Sequence, residues 1–201
     1  MASSSRIQLE QYLKTLEVKG RVCDIGGSVQ SLKGRVKTFN PTEYLIMDNG
    51  SEKGLHEKWT EPDIEWDICE YIDFQDGCCD AEFHKDGKYG DYFDQVFMIE
   101  VSEYLTDPIQ ALENVYSLLK DGGEFVISYH TVYSEHPPEG KDIFRYTPGG
   151  MELLLKNAGF EIVEHQLRTA TSDYLTLFYN AEGCRGKNHN NTTGGIVRAR
   201  K

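Results

Sequence analysis

Residues 92–128 read YFDQVFMIEVSEYLTDPIQALENVYSLLKDGGEFVIS. FDQVFMIE (93–100) is an almost unbroken apolar run, the pattern of a strand covered on both faces. Asp107-Pro108 follows, and an acid before a proline marks a helix start. Apolar residues then fall at 109, 112, 115 and 119, the spacing of one helix face. Asp121-Gly122-Gly123 stops that helix. EFVISYH (124–130) reads as the next strand.

The alternation continues in both directions. Upstream, RIQLEQYLKTLE (6–17) predicts an opening helix with serine before it as a cap. Residues 21–25 and 44–48 predict short strands, and 63–68 a less regular one. Residues 75–91 are polar and glycine-rich, hence a loop. Downstream, Thr147-Pro148 opens a helix that ends at Gly159, and FEIVEHQL (160–167) is a strand. YLTLFYN (174–180) is apolar without a clear period. GIVRARK (195–201) suggests a final edge strand with a solvated basic tail. The 201 residues, without internal repeats, favour a single domain over 1–201, with residues 1–19 carrying the N-terminal helix and 170–194 a variable segment. Its class is α/β: a doubly wound, mostly parallel, Rossmann-like sheet with helices on both faces and an antiparallel strand near the C-terminus.

Such sheets bind ligands beyond the carboxyl ends of their strands, where strand order reverses. The loops after residues 25, 48, 68, 100 and 130 share that rim. The first, in RVCDIGGSVQ (21–30), offers Asp24, Gly26 and Gly27, and glycine admits both close backbone approach and positive φ. Asp48 stands about twenty residues on, where an acid meets the two hydroxyls of a ribose. Asp67-Ile68-Cys69 suits an exocyclic amine and a ring nitrogen. Glu100-Val101 closes the fourth strand, with Glu103 and Tyr104 just beyond. No G-x-x-x-x-G-K-[ST] run is present for a triphosphate, and no basic cluster flanks the first loop. The set fits a nucleoside without phosphates.

These residues resemble the class I S-adenosylmethionine-dependent methyltransferases in their small single-domain form. The resemblance covers about residues 20–165. It is strongest over 92–128 and again over IFRYTPGGMELLLKNAGFEIVE, which has the family's Thr-Pro helix start and AGF turn. It implies S-adenosyl-L-methionine as cofactor. Asp24, Gly26, Gly27 and Ser28 would wrap its methionine part, Asp48 its ribose, Asp67 and Ile68 its adenine, while Glu100 and Val101 would lie beneath it. Two departures stand out. Ser28 and Gln30 occupy positions where the family often has glycine, and Tyr104 one where it commonly has histidine. They keep open a second reading, a protein that retains the fold without the catalysis.

Methyl transfer needs a nucleophile aligned in a shielded pocket, and a base only when the acceptor carries a proton. His130, at a strand end, is the candidate base, and Tyr104 a candidate to orient the acceptor. His136, Asp142, Arg145 and Tyr146, in the following loop, are candidates to hold the substrate, although an Asp142–Arg145 ion pair is an equal alternative. A nicotinamide-dependent oxidoreductase is a weaker third reading.

The formal net charge of −12 disfavours nucleic acid and anionic membranes. No [DN]-P-P-[YF] run or Pro-Cys nucleophile suggests base methylation. The expected acceptor is a small molecule, with its oxygen or nitrogen methylated. Five cysteines, no signal-like start and no run near the roughly 18–20 apolar residues of a span point to a soluble, cytoplasmic protein with free thiols. Cys78-Cys79 with Asp80 and His84 lacks the spacing of a structural zinc site, so no metal is expected.

Overall fold

A computed structural model describes residues 3–55, 57–71, 89–136, 139–182 and 191–201. Among these residues, four α-helices and seven strands are arranged as α1 (Ser4–Leu13), β1 (Glu17–Ile25), β2 (Thr38–Asp48), β3 (Ile64–Glu65), β4 (Phe93–Met98), α2 (Pro108–Leu118), β5 (Leu119–His130), α3 (Pro148–Asn157), β6 (Glu161–Thr169), α4 (Tyr174–Ala181) and β7 (Thr192–Arg200), with a 3-10 turn over Ser102–Tyr104. The sheet order is β3-β2-β1-β4-β5-β7-β6. β1 through β5 are parallel, and β7 runs antiparallel to both its neighbours. This is the expected Rossmann-like architecture.

Local chemistry explains the helix starts. Asp107 accepts from the amides of Ile109 and Gln110, both at 3.1 Å, and Pro108 fills the first turn, where its missing N–H costs nothing. Thr147 accepts from Gly150 N at 3.1 Å in the same way, ahead of Pro148. Ser3 caps α1 through the Arg6 amide at 3.2 Å.

Two apolar layers cover the sheet. α1 supplies Leu9, Tyr12 and Leu13 to one face, against Val22, Phe97, Val126 and Ile196. α2 and α3 supply Leu112, Val115, Met151 and Leu155 to the other, against Cys23, Val96, Phe125 and Ile127. Adjacent strand residues such as Val22 and Cys23, or Val96 and Phe97, thus serve opposite layers, which is why these strands read as continuous apolar runs. Each such buried aliphatic side chain contributes about 1.5–3 kcal/mol.

Four elements differ from the sequence expectation. The segment GIVRARK is not an edge strand: β7 is inserted between β5 and β6, with Ile196, Val197 and Ala199 fully buried. Its cations are matched within the sheet rather than solvated, Arg198 by Glu164 at 3.4 Å and Arg200 by Glu124 at 3.7 Å. The opening helix stops at Leu13, and Glu17 already belongs to β1. In α2, Ile109 is exposed, and the buried stripe runs through Ala111, Leu112, Asn114, Val115 and Leu118. Residues 174–181 form α4, whose Tyr174, Leu177 and Phe178 face outward. Among the described residues, no helix is long and apolar enough to cross a membrane.

Candidate functional site

Strand order reverses between β1 and β4, whose carboxyl ends meet at the Ile25–Met98 pair. A cavity of about 450 Å³ opens there. Of the residues expected to hold a cofactor, Gly26, Asp48, Asp67, Ile68, Glu100 and Val101 line it, and Tyr104 does too. Cys69, from the same expected stretch as Asp67, lines it as well, and Trp66, Lys141 and Ile143 also do, with no motif that announces them.

Gly26 has φ 76°, and a Cβ there would overlap Val101 Cγ2. The turn is therefore glycine for two reasons, conformation and close approach. Asp24, Gly27 and Ser28 lie behind the wall rather than on it. Asp24 is buried beneath the turn, where its Oδ2 accepts from Leu32 N at 3.1 Å and from the Tyr44 hydroxyl. Burial pushes its carboxyl up to about 6, against the pull of those two donors. A Cβ on Gly27 would come 2.7 Å from the same carboxylate. Ser28 is buried, and its carbonyl accepts from Thr60 N at 2.8 Å. Its hydroxyl and backbone amide lie toward Asp48 and help hold that carboxylate charged.

Asp48 ends β2 and accepts from Gly50 N at 3.2 Å. Burial raises its carboxyl above the usual range, and these nearby donors offset only part of that. Asp67 folds back on its own loop, accepting from Cys69 N at 2.9 Å. That loop is pinned from α2, where Asn114 Nδ2 donates to the carbonyls of Ile68 at 2.7 Å and Glu70 at 2.8 Å.

Glu100 is held on several sides. It adopts φ 59°, rare for a residue with a side chain. Its amide donates to Ser128 Oγ at 2.8 Å. Its carboxylate accepts from Ser128 Oγ and Arg168 Nη1, each at 2.9 Å, and lies 3.1 Å from His130 Nε2. Burial works to raise its carboxyl, but His130 and Arg168 prevail and hold it well below the usual range. His130 mirrors this. Burial disfavours its cation, yet Glu100 and Glu103 raise its pKa. Arg168, absent from the sequence expectation, is fully buried.

The expected acceptor-side residues are brought together, but behind the cavity. None of His130, His136, Asp142, Arg145 and Tyr146 lines it. Arg145 pairs with Asp142 through both its terminal nitrogens and donates to the Phe144 and Ser134 carbonyls. Asp142 also accepts from His136 N at 2.7 Å. The Tyr146 hydroxyl donates to Ser102 O at 2.9 Å. The ion-pair alternative describes Asp142 and Arg145: they tie the two ends of the 131–147 loop to each other. Cys78, Cys79, Asp80 and His84 lie outside the described residues.

A methyltransferase domain family matches residues 6–165, and the chain belongs to it. The fold is that of the class I S-adenosylmethionine-dependent methyltransferases, and S-adenosylmethionine is the cofactor that goes with this assignment. A methyltransferase of that kind from Mesorhizobium loti is 16% identical with a TM-score of 0.60, covering 98% of each chain. One from Archaeoglobus fulgidus is 16% identical with a TM-score of 0.57, covering 98% of this chain and 92% of its own. A Haloferax volcanii methyltransferase complex with the Trm112 activator gives 17% identity and a TM-score of 0.59, covering 98% and 88%. No curated protein sequence matches.

The residues present fit the cofactor. Gly26 brings the bare backbone of the turn onto the cavity wall against Val101, Asp48 stands at the end of the second strand, and the charged lining is mostly acidic, as a cationic nucleoside requires.

Proposed function

We propose that the protein binds S-adenosylmethionine in the rim cavity and transfers a methyl group to an oxygen or nitrogen of a small-molecule acceptor. The charge of the wall carries this reading. Asp48, Glu52, Asp67 and Glu100 line the cavity against one lysine, Lys141. A cationic ligand without phosphates suits that wall, and a pyrophosphate does not. The cavity is of the size that takes small molecules.

When bound, the cofactor supplies an electrophilic methyl on a sulfonium, open to in-line attack by a lone pair. In this reading Asp48 accepts from the ribose hydroxyls. Asp67 and the Ile68–Cys69 backbone hold the adenine. Gly26 and Val101 admit the methionine part, while Asp24, Gly27 and Ser28 act indirectly by fixing the turn. Tyr104 faces the acceptor. His130 acts through Glu100, as a positioning residue. Asp142, Arg145 and Tyr146 shape the acceptor side by holding the loop over 131–147. Free Cys23 and Cys69 suit a reducing compartment, the cytoplasm.

Titration calorimetry with S-adenosylmethionine, S-adenosylhomocysteine and NAD tests the reading. The first two bind in the micromolar range and NAD does not. If neither sulfur nucleoside binds, the reading fails, and a fold kept without the activity takes its place.

A further inference from the structure

Behind the Glu100 wall, two imidazoles and a carboxylate converge. Glu103 Oε1 lies 3.4 Å from His130 Nε2 and 3.7 Å from His136 Nδ1. All three donor atoms fall within 4.8 Å of one another. Glu103 and His130 are each 1% exposed. His136 is part-exposed, which leaves a way in from solvent.

Glu103 is poorly served by the protein alone. Among the described residues, no lysine or arginine nitrogen pairs with it. Ser102 Oγ stands 3.4 Å from its Oε2, but that hydroxyl has one proton and gives it to Ser128 O at 2.9 Å. A buried carboxylate whose nearest cationic partner is a histidine 3.4 Å away is costly, so the site favours a further cation. The imidazoles serve it only at long range, His130 Nε2 at 3.4 Å and His136 Nδ1 at 3.7 Å. His136 Nδ1 is buried, faces Glu103 and also Asp142 at 3.5 Å, and bonds to neither. In the metal-free chain His130 Nε2 gives its one proton to Glu100 at 3.1 Å; a bound ion displaces that proton, and Glu100 keeps Ser128 and Arg168.

Gaps of this length are too long for good hydrogen bonds. They do match donors that share one ion, since metal bonds of about 2.0–2.2 Å set ligand atoms roughly 3–4 Å apart. We propose that Glu103, His130 and His136 bind a divalent first-row transition-metal ion, Zn²⁺ in the first instance. Two imidazoles and one carboxylate are the donor types such ions prefer over Mg²⁺ or Ca²⁺, and three protein donors leave a further position open. Ser102 stands beside Glu103, and Asp142 holds the His136 backbone amide at 2.7 Å, so both fix ligand positions from behind. The site goes beyond the methyl-transfer reading and does not rest on it.

Co²⁺ is the probe, added to the full-length chain after chelator treatment, without cofactor. The expected result is one equivalent bound, with visible d–d bands of a four- or five-coordinate ion, bleached by Zn²⁺. Glu103→Gln and His136→Ala, each folded by circular dichroism, weaken Co²⁺ by about tenfold or more. His136→Ala changes a part-exposed side chain, so folding does not confound it. Three results would overturn the proposal: no stoichiometric binding to the folded chain, bands that survive both substitutions, or an intense thiolate-to-metal band placing the ion on cysteines. S-adenosylmethionine titration of the metal-free chain reports separately on the cofactor reading.

Discussion

Arg168 Nη1 donates to Glu100 Oε1 at 2.9 Å, from a guanidinium with no exposure to solvent. Its other terminal nitrogen donates to the Tyr129 carbonyl. A cation from β6 thus holds a cavity-lining acid at the end of β4, across two intervening strands. Arg168→Ala leaves Glu100 with a low-pKa charge and one strong partner fewer. It should destabilise the fold by about 3–5 kcal/mol, the cost of breaking a buried pair. Urea unfolding measures this, and a loss under about 1 kcal/mol would make the pair incidental.

Gly26 and Val101 touch across the floor of the same cavity. Gly26→Ala must both hold φ 76° with a side chain and displace Val101 Cγ2. The backbone part alone costs about 1–2 kcal/mol. Val101→Ala in the same chain removes the overlap but not the backbone strain, so it should restore stability in part. Full restoration would show that φ is unimportant, and none would show that the overlap is.

What could be read from the sequence was local. Asp107-Pro108 and Thr147-Pro148 announce their helices because capping involves residues two or three apart. The cavity acids Asp48, Asp67 and Glu100 stand at strand ends, so their positions follow once the strands do. Arg168 was not readable, because its setting is made by distant elements. In β7, a Cβ on Gly194 would overlap Tyr129 O and approach Arg168 Nη2 to 2.9 Å, so a glycine in one strand makes room for a guanidinium from its neighbour. The place of β7 was hidden for a related reason. Its arginines look like a solvated edge until Glu124 and Glu164 are brought alongside. Asn114 hid inside an apolar helix pattern, although it anchors the Asp67 loop.

Burial raises the Asp48 carboxyl, and backbone amides and the Ser28 hydroxyl, rather than a cation, hold its charge. Hydrogen bonds to a charged group contribute about 1.5–3 kcal/mol. Asp48→Ala should weaken S-adenosylmethionine by that amount in calorimetry, with the unfolding midpoint little changed. Unchanged affinity would remove Asp48 from the site.

Asp24 predicts a pH effect of unusual sign. Its carboxyl sits near 6 in the folded chain because burial opposes its charge, and near the ordinary aspartate value when unfolded. Between these values the folded state holds the extra proton. Stability from this group is therefore greatest below about pH 4 and falls as pH rises to 6. A shift from 3.8 to about 6 corresponds to about 3 kcal/mol. Asp24→Asn keeps an acceptor for Leu32 N and the Tyr44 hydroxyl but cannot ionise. Its stability relative to the parent chain should therefore improve by about 2–3 kcal/mol from pH 4 to pH 7, with other acids cancelling in the comparison. Urea unfolding of both chains at the two pH values checks this. A difference that stays flat, or moves the other way, would mean that Asp24 is ionised at low cost under the turn.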